Sequence, residues 1–379
     1  MKKLVLFACC LVLFALPLSA QETASGDEKS TQKAGGVKSL AERIQRLEEA
    51  IGRDTESDKW YDRIQISGLI EVEAGYRKFE EKNDPAADTK ESDVDLATVE
   101  LVADAKIAKH VDGHVMFKYE EDEVFVDEGF IALVGTKSFP AYLIAGRQYL
   151  PFGYYDSHFV TDPNTLVLGE TNQGAAVAGY RIGGERVDLS VGAFKGEIDK
   201  AGDDDAIDSF VAAITAHPLD FLMAGVSYTS NLASSDSLSA VIEENGTTEL
   251  TDRVGGWSAF LTIEYLDRFK LIGEYVGALD DFEAGELYSP ATLDKKRSPT
   301  AFNVELGAMI IEDLGLALRY GGSDDGAGVL PEKQYGAVLN WGIGSCNLAF
   351  EYLHDEFEDT GLDVEQEADT LTAQLAVAF

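Results

Sequence analysis

The sequence predicts an all-β transmembrane barrel of about 16 antiparallel strands, preceded by a short N-terminal coiled-coil helix. Three observations predict it: an export signal at the start, period-two alternation of apolar residues over most of the chain, and links between strands that are short and long by turns.

Residues 1–20 have the plan of a secretory signal peptide: Lys2 and Lys3, an apolar run from Leu4 to Leu16, then Pro17-Leu18-Ser19-Ala20 with small residues at the expected cut. The run is too short to span a bilayer as a helix. Cys9 and Cys10 leave with the signal, so Cys346 is the remaining thiol and no disulfide or cysteine metal site forms within one chain. Loss of Lys2 and Lys3 takes the formal net charge from -37 to -39. Such a chain repels nucleic acid and favours cations or basic partners. Its 19 Phe and 15 Tyr against 9 Pro suit amphipathic strands with one face toward lipid and one toward water.

Residues 21–36 have no apolar periodicity and are expected to be a flexible linker. Over 37–52 the seam Val37, Leu40, Ile44, Leu47 and Ile51 follows 3-4-3-4 spacing, with Arg43 and Glu48 placed to pair between chains and Gly52 ending the helix. Arg43-Ile44-Gln45-Arg46-Leu47-Glu48 resembles the pattern of short trimeric coiled coils, which implies a homotrimer. About two heptads are marginal alone, and an amphipathic helix lying on the barrel is the alternative.

The barrel is expected over 60–379. From Ile64 the period becomes 2: Ile64, Ile66, Ile70, Val72 and Tyr76 alternate with Gln65, Ser67, Glu71, Glu73 and Arg77, and the pattern recurs through Leu371, Leu375, Val377 and Phe379. Short links such as 217–220, 266–269, 312–313 and 342–345 alternate with long polar ones at 79–93, 149–173, 196–208, 230–253, 279–299, 321–333 and 355–368. Membrane barrels place tight turns in the periplasm and long loops outside. A soluble sandwich or propeller also has many short strands, but does not call for an export signal, alternating links and a terminal aromatic together. The last strand, ending at Phe379, resembles the signal recognised by the barrel-assembly machinery. Outer-membrane lipid and lipopolysaccharide are the expected surroundings.

The sequence lacks a nucleophile elbow, a His-Glu-x-x-His helix, a Walker loop and a dinucleotide fingerprint, so an enzyme is not expected. Ser157 and His158 are adjacent, and on an extended chain they point apart, which argues against a lipase dyad. His110 falls in a turn and His114 in a strand, which spoils their i, i+4 metal spacing. No cofactor is implied. Asp203-Asp204-Asp205 and Glu356-Phe357-Glu358-Asp359 lie in outer loops and could hold divalent cations loosely, without the ordered spacing of a calcium loop.

The stretch 146–173 joins two strands at an outer position where a long loop can fold inward as a constriction. Arg147-Gln148-Tyr149-Leu150-Pro151-Phe152-Gly153, followed by Thr161-Asp162-Pro163, Leu166 and Leu168-Gly169-Glu170-Thr171, resembles the LbtU family of siderophore porins. The resemblance implies uptake of a ferric siderophore or similar small solute through a barrel without a plug domain. It supplies no binding residues. From their charge and inward parity or loop position, the candidate lumen residues are Glu71, Glu73, Lys118, Arg147, Asp156, Asp162, Glu170, Glu264, Glu305 and Arg319. A general cation-preferring porin and a structural protein tethering the envelope are the other two readings.

Overall fold

In the computed structural model the described residues are 60–379, apart from 82–87, 121–122, 185, 205, 245, 247, 288–294, 327–329 and 358–365. The expected signal peptide, linker and coiled-coil seam lie outside them. Each amphipathic segment forms a strand: β1 (Ile64–Glu81), β2 (Thr89–Ala108), β3 (Val111–Glu120), β4 (Glu123–Thr136), β5 (Phe139–Tyr149), β6 (Asn172–Ile182) and β7 (Val187–Phe194). A short β8 (Asp199–Lys200) precedes β9 (Ser209–Leu219) and β10 (Leu222–Thr229), and a short β11 (Glu249–Leu250) precedes β12 (Gly256–Tyr265) and β13 (Phe269–Ala278). The series ends with β14 (Thr300–Ile311), β15 (Leu314–Asp324), β16 (Lys333–Ile343), β17 (Cys346–Glu356) and β18 (Gln366–Ala378).

All but β8 and β11 pair antiparallel into one closed barrel of sixteen strands, with β1 completing the ring against β18. Closure pairs every barrel strand on both sides over part of its length, leaving 89–98 of β2 paired with β1 alone among the described residues. The terminal residue joins the seam: the Gly68 N–H donates to the Phe379 carbonyl at 2.9 Å and the Phe379 N–H to the Gly68 carbonyl at 3.0 Å. A Cβ on Gly68 would stand 2.5 Å from the Phe379 ring, so only glycine seats the terminal aromatic there.

Several expected links are shorter than the sequence suggested, among them 321–333, which runs only from 325 to 332, and 355–368, which runs from 357 to 365. The first outer link runs only from 82 to 88 because alternation continues to Glu81 and resumes at Thr89, and β9 continues through His217, Pro218 and Leu219. The outer end of β3 also meets β4 across 121–122, a short link among the long ones.

Alternation sorts the faces. Ile66, Leu133, Leu318 and Phe350 are exposed on the outside, with Trp257 against Tyr275 and Phe302 against Tyr320 in the same belt. An apolar outer surface of this kind needs lipid. No helix among the described residues is long and apolar enough to cross a membrane.

The inner face divides into three parts. On β4–β9 it is apolar, with Phe130, Ile144, Val177, Phe194 and Val211 in one buried cluster. On β12–β17 it carries Ser258, Glu274, Glu305, Arg319 and Glu351, all buried. On β1–β3 and β18 it carries Glu71, Glu73, Glu100, Lys118 and Gln374 on the lumen side. Outer links add a cap in which helix α2 (Asp236–Glu244) packs Leu238 and Ile242 with Leu232, Leu250, Val254 and Phe282.

Candidate functional site

The segment 150–171 leaves β5, enters the barrel and returns to β6. Its neck is tied where the Leu150 N–H donates to the Thr171 carbonyl at 2.9 Å. Pro151-Phe152-Gly153 turns the chain inward: Gly153 has φ +75°, and a Cβ there would lie 2.2 Å from the Tyr155 ring. Gly169, at the end of the short helix α1 (Asn164–Gly169), is equally bound, since its Cβ would meet the Tyr155 hydroxyl at 2.3 Å. Tyr155 itself is held at φ 57°, a conformation non-glycine residues seldom adopt. The two glycines of the motif thus make the slot that Tyr155 fills.

Once inside, the loop's backbone N–H groups need acceptors, and wall side chains supply them. Gly153 N–H donates to Ser227 Oγ at 2.9 Å and Ser258 Oγ at 3.1 Å. Tyr154 and Tyr155 N–H donate to the two oxygens of Glu274 at 2.7 and 3.0 Å, and Thr165 Oγ1 adds a bond to the same carboxylate at 3.1 Å. Ser157 Oγ and His158 N–H donate to Glu305 at 2.9 and 2.6 Å. Val160 N–H, Thr161 N–H and Thr161 Oγ1 donate to Glu351, the first at 2.6 Å. Charge-assisted bonds of this kind are stronger than neutral ones.

Arg319 completes the anchor. Its Nη2 lies 2.9 Å from Glu305 Oε1 and donates to Ser157 Oγ at 2.6 Å, and its guanidinium sits 4.3 Å from the centre of the Phe159 ring. Phe159 in turn packs on Ala317, Val338, Ala349 and Leu353. At the other end of this stretch, Asp156 meets Lys270 at 2.6 Å, and Lys270 also reaches Glu264 at 3.0 Å.

The candidate lumen residues therefore have five fates, Arg147 being alone in the last. Glu71, Glu73 and Lys118 lie on the β1–β3 wall away from the loop's anchors: Glu71 is buried at 5% exposure, Lys118 is paired to Glu120 at 2.8 Å, and Glu73 accepts from Gln374 at 2.8 Å. Asp162 and Glu170 belong to the loop: Asp162 has Arg319 as its leading charge neighbour, then Lys118, Glu120 and Glu73 of the wall, and Glu170 has Asp162 and Asp236, then Lys118 and Asp127. Asp156 and Glu264 are tied up by Lys270. Glu305 and Arg319 do not line the lumen: each is at most 3% exposed, beneath the loop.

Arg147 also departs from expectation. It pairs in register with Gly129 and Gly174 on the outward side of the wall, in line with Leu143 and Ala145, and is exposed there. Both faces of β5 are largely apolar, so parity alone gave no warning. Ser157 and His158 serve as loop anchors, and His114 donates or accepts at 2.7 Å with Asp104 while stacking on Phe130. Asp203 pairs with Arg253 at 3.2 Å, and no group of three metal-ligating side chains occurs among the described residues. Glu274 and Glu351 join the site without being among the candidates, although inward glutamates on strands facing a long loop rich in unpartnered amides are a usable signal.

The cap grips the loop's end. Asp236 N–H donates to the Glu170 carbonyl at 2.8 Å, and its carboxylate accepts from Asn172 N–H at 3.0 Å. Burial pushes the Asp236 carboxyl up to about 6, against the pull of the Asn172 N–H. Burial also raises Glu170, helped by the nearby charges of Asp162 and Asp236.

No family model matches the chain. A UPF0422 protein of Coxiella burnetii is 25% identical over 314 residues, covering 77% of this chain and 64% of that protein. A UPF0422 protein of Legionella pneumophila is 23% identical, covering 83% of this chain and 66% of its own length. The chain thus spans just under two thirds of these relatives. Among solved structures, the outer membrane channel DcaP of Acinetobacter baumannii superposes with a TM-score of 0.59 at 14% identity, covering 83% of this chain and 97% of DcaP. An anion-selective porin from Comamonas acidovorans gives 0.57 at 10% identity, covering 83% and 99%. The fold is that of porin-like outer-membrane channels.

Proposed function

We propose that the chain is a passive channel of the bacterial outer membrane that favours cations, its lumen narrowed by the inserted loop. One observation carries the reading: the two basic residues that could have formed an anion site at the constriction are removed from it. Arg147 lies on the outer surface, and Arg319 is buried in an ion pair with Glu305. Lys118 is left among Glu71, Glu73, Glu100 and Glu120, with Asp162 and Glu170 on the loop. A wall in which acids outnumber the one lysine concentrates cations in a confined lumen and keeps much of that effect when salt screens exposed charges over about 10 Å.

A ferric chelate passes such a lumen best when its net charge is zero or positive, so the siderophore reading survives for that charge class. The test is the reversal potential of single channels under a KCl gradient at low and high salt. Cation selectivity is expected at both, reduced in an E73Q/D162N double variant and increased in K118Q. Anion selectivity of the unaltered protein at both concentrations would overturn the reading.

A further inference from the structure

The outer rim of the barrel is uneven. β1 has 18 residues and β2 has 20, where a membrane strand needs about 9–11, and the adjoining β3 has only 10. Pairing of β2 with β3 stops at Val99 opposite Tyr119, whereas pairing with β1 continues up to Thr89 opposite Phe79. From Thr89 to Thr98 one edge of β2 therefore has no ladder partner among the described residues, and 88–96 are exposed throughout. An open edge of this length is a template for another strand.

We propose that this edge binds an extended peptide with alternating basic and apolar residues, taking it up as an added strand above the β3–β4 link. The two faces of the edge set that alternation. Glu91, Asp93 and Asp95 share the lumen side, in register with Arg77, Gly75 and Glu73. On the outer side stand Val94, 68% exposed, and Leu96, and at the foot of the edge, level with Val99 through Tyr119, stands Val124, 71% exposed. A bound strand lays every second side chain against the acids and the others against the apolar row.

The edge is already capped in a way that a ligand can exchange. Val94 N–H donates to Asp93 Oδ1 at 2.7 Å. A carbonyl of the incoming strand takes over that N–H and frees the Asp93 carboxylate for a ligand cation. A second copy of this chain is the less favoured occupant, because it would bring the same acids, on a chain of net charge -37, against one another. The inference stands apart from the channel reading, since the edge lies on the rim and not in the constriction.

The experiment uses the full chain in detergent and a fluorescent short peptide of alternating lysine and valine, followed by anisotropy. Saturable binding is expected. The same peptide N-methylated on its pairing edge should lose it, and a D93N/D95N variant, shown by circular dichroism to be a folded barrel, should bind about tenfold more weakly, as two exposed charge pairs allow. Equal binding of the N-methylated peptide would reduce the contact to charge attraction and overturn the proposal, as would no binding at all. Efficient disulfide cross-linking of two L96C chains without peptide would assign the edge to a second copy and overturn it too. Channel conductance, recorded on the same preparation, reports separately on the channel reading.

Discussion

Glutamates on the two halves of the wall have the same parity, the same side chain and opposite uses. On β13, β14 and β17, Glu274, Glu305 and Glu351 are buried and turned into acceptors for the loop's amides. On β1, Glu71 and Glu73 take no bond from the loop among the described residues: Glu71 is buried beside Glu100, Lys118 and Thr98, and Glu73 is half-buried and accepts from Gln374. An inward carboxylate is thus a structural acceptor or part of the ion path according to whether a loop with free N–H groups reaches it. Inward parity says only that a residue is not in lipid.

The difference between the two walls is largest at Arg319. Arg319→Met leaves Glu305 buried without its cation, a change costing about 3–5 kcal/mol where a buried pair is broken. The expected result is a loop that leaves the wall: single-channel conductance loses its uniform level, and chymotrypsin cuts within 150–171. Glu73→Gln on the β1 wall should change selectivity yet alter stability by less than about 0.5 kcal/mol. A uniform, protease-resistant R319M channel would mean that the loop is held elsewhere.

Gly153→Ala comes next. It combines a positive φ with a Cβ 2.2 Å from the Tyr155 ring, and costs about 1–3 kcal/mol. Gly75→Ala is the matched change on the β1 wall, where an added Cβ meets nothing within 4 Å. Thermal release of the loop, followed by chymotrypsin sensitivity against temperature, should shift for the first and not for the second.

These contrasts show which features local sequence carries. Alternation places Glu71, Lys118 and Glu305 correctly on the inner face because side-chain direction in a strand depends only on neighbouring residues. It cannot distinguish them further, because the loop that buries Glu305 comes from residues 157 and 158, on a different strand connection. Arg147 was misplaced for another reason: β5 and β6 bury Ile144 and Val177 inside while exposing Leu143 and Ala178 outside, so neither face is polar enough to declare itself. The Pro-Phe-Gly motif was visible as a turn, but its partner Gly169 acquires meaning only when Tyr155 lies between them.

The cap adds a smaller, pH-dependent contrast. Asp236 has its carboxyl raised from 3.8 to about 6 by burial, so the docked form holds its proton more tightly than the undocked form. Docking is therefore strongest below the ordinary carboxylate range, weakens as pH rises from about 4 to about 6, and is level above that. Hydrogen exchange corrected for intrinsic rate should show 232–244 better protected near pH 5 than near pH 8. D236N should flatten the difference, and a pH-independent wild type would remove Asp236 from the latch.

The least effect is expected where a hydroxyl inside the loop has no work to do. Tyr155 is 3% exposed, and its oxygen has no hydrogen-bond partner among the described residues. Burying such a group unpaired costs about 1–3 kcal/mol. The ring, in contrast, fills the slot between Gly153 and Gly169 and packs in the main apolar cluster. Tyr155→Phe keeps the ring and removes the unsatisfied oxygen, so loop release should stay where it is or move slightly upward in temperature. Ser258→Ala is the counterpart on the anchoring wall, because Ser258 Oγ accepts the Gly153 N–H and lies 2.6 Å from Ser227 Oγ; its loss should lower release by an amount worth about 1 kcal/mol. If Y155F loosens the loop as much as S258A does, the Tyr155 hydroxyl has a partner, and the loop is held from within as well as from the wall.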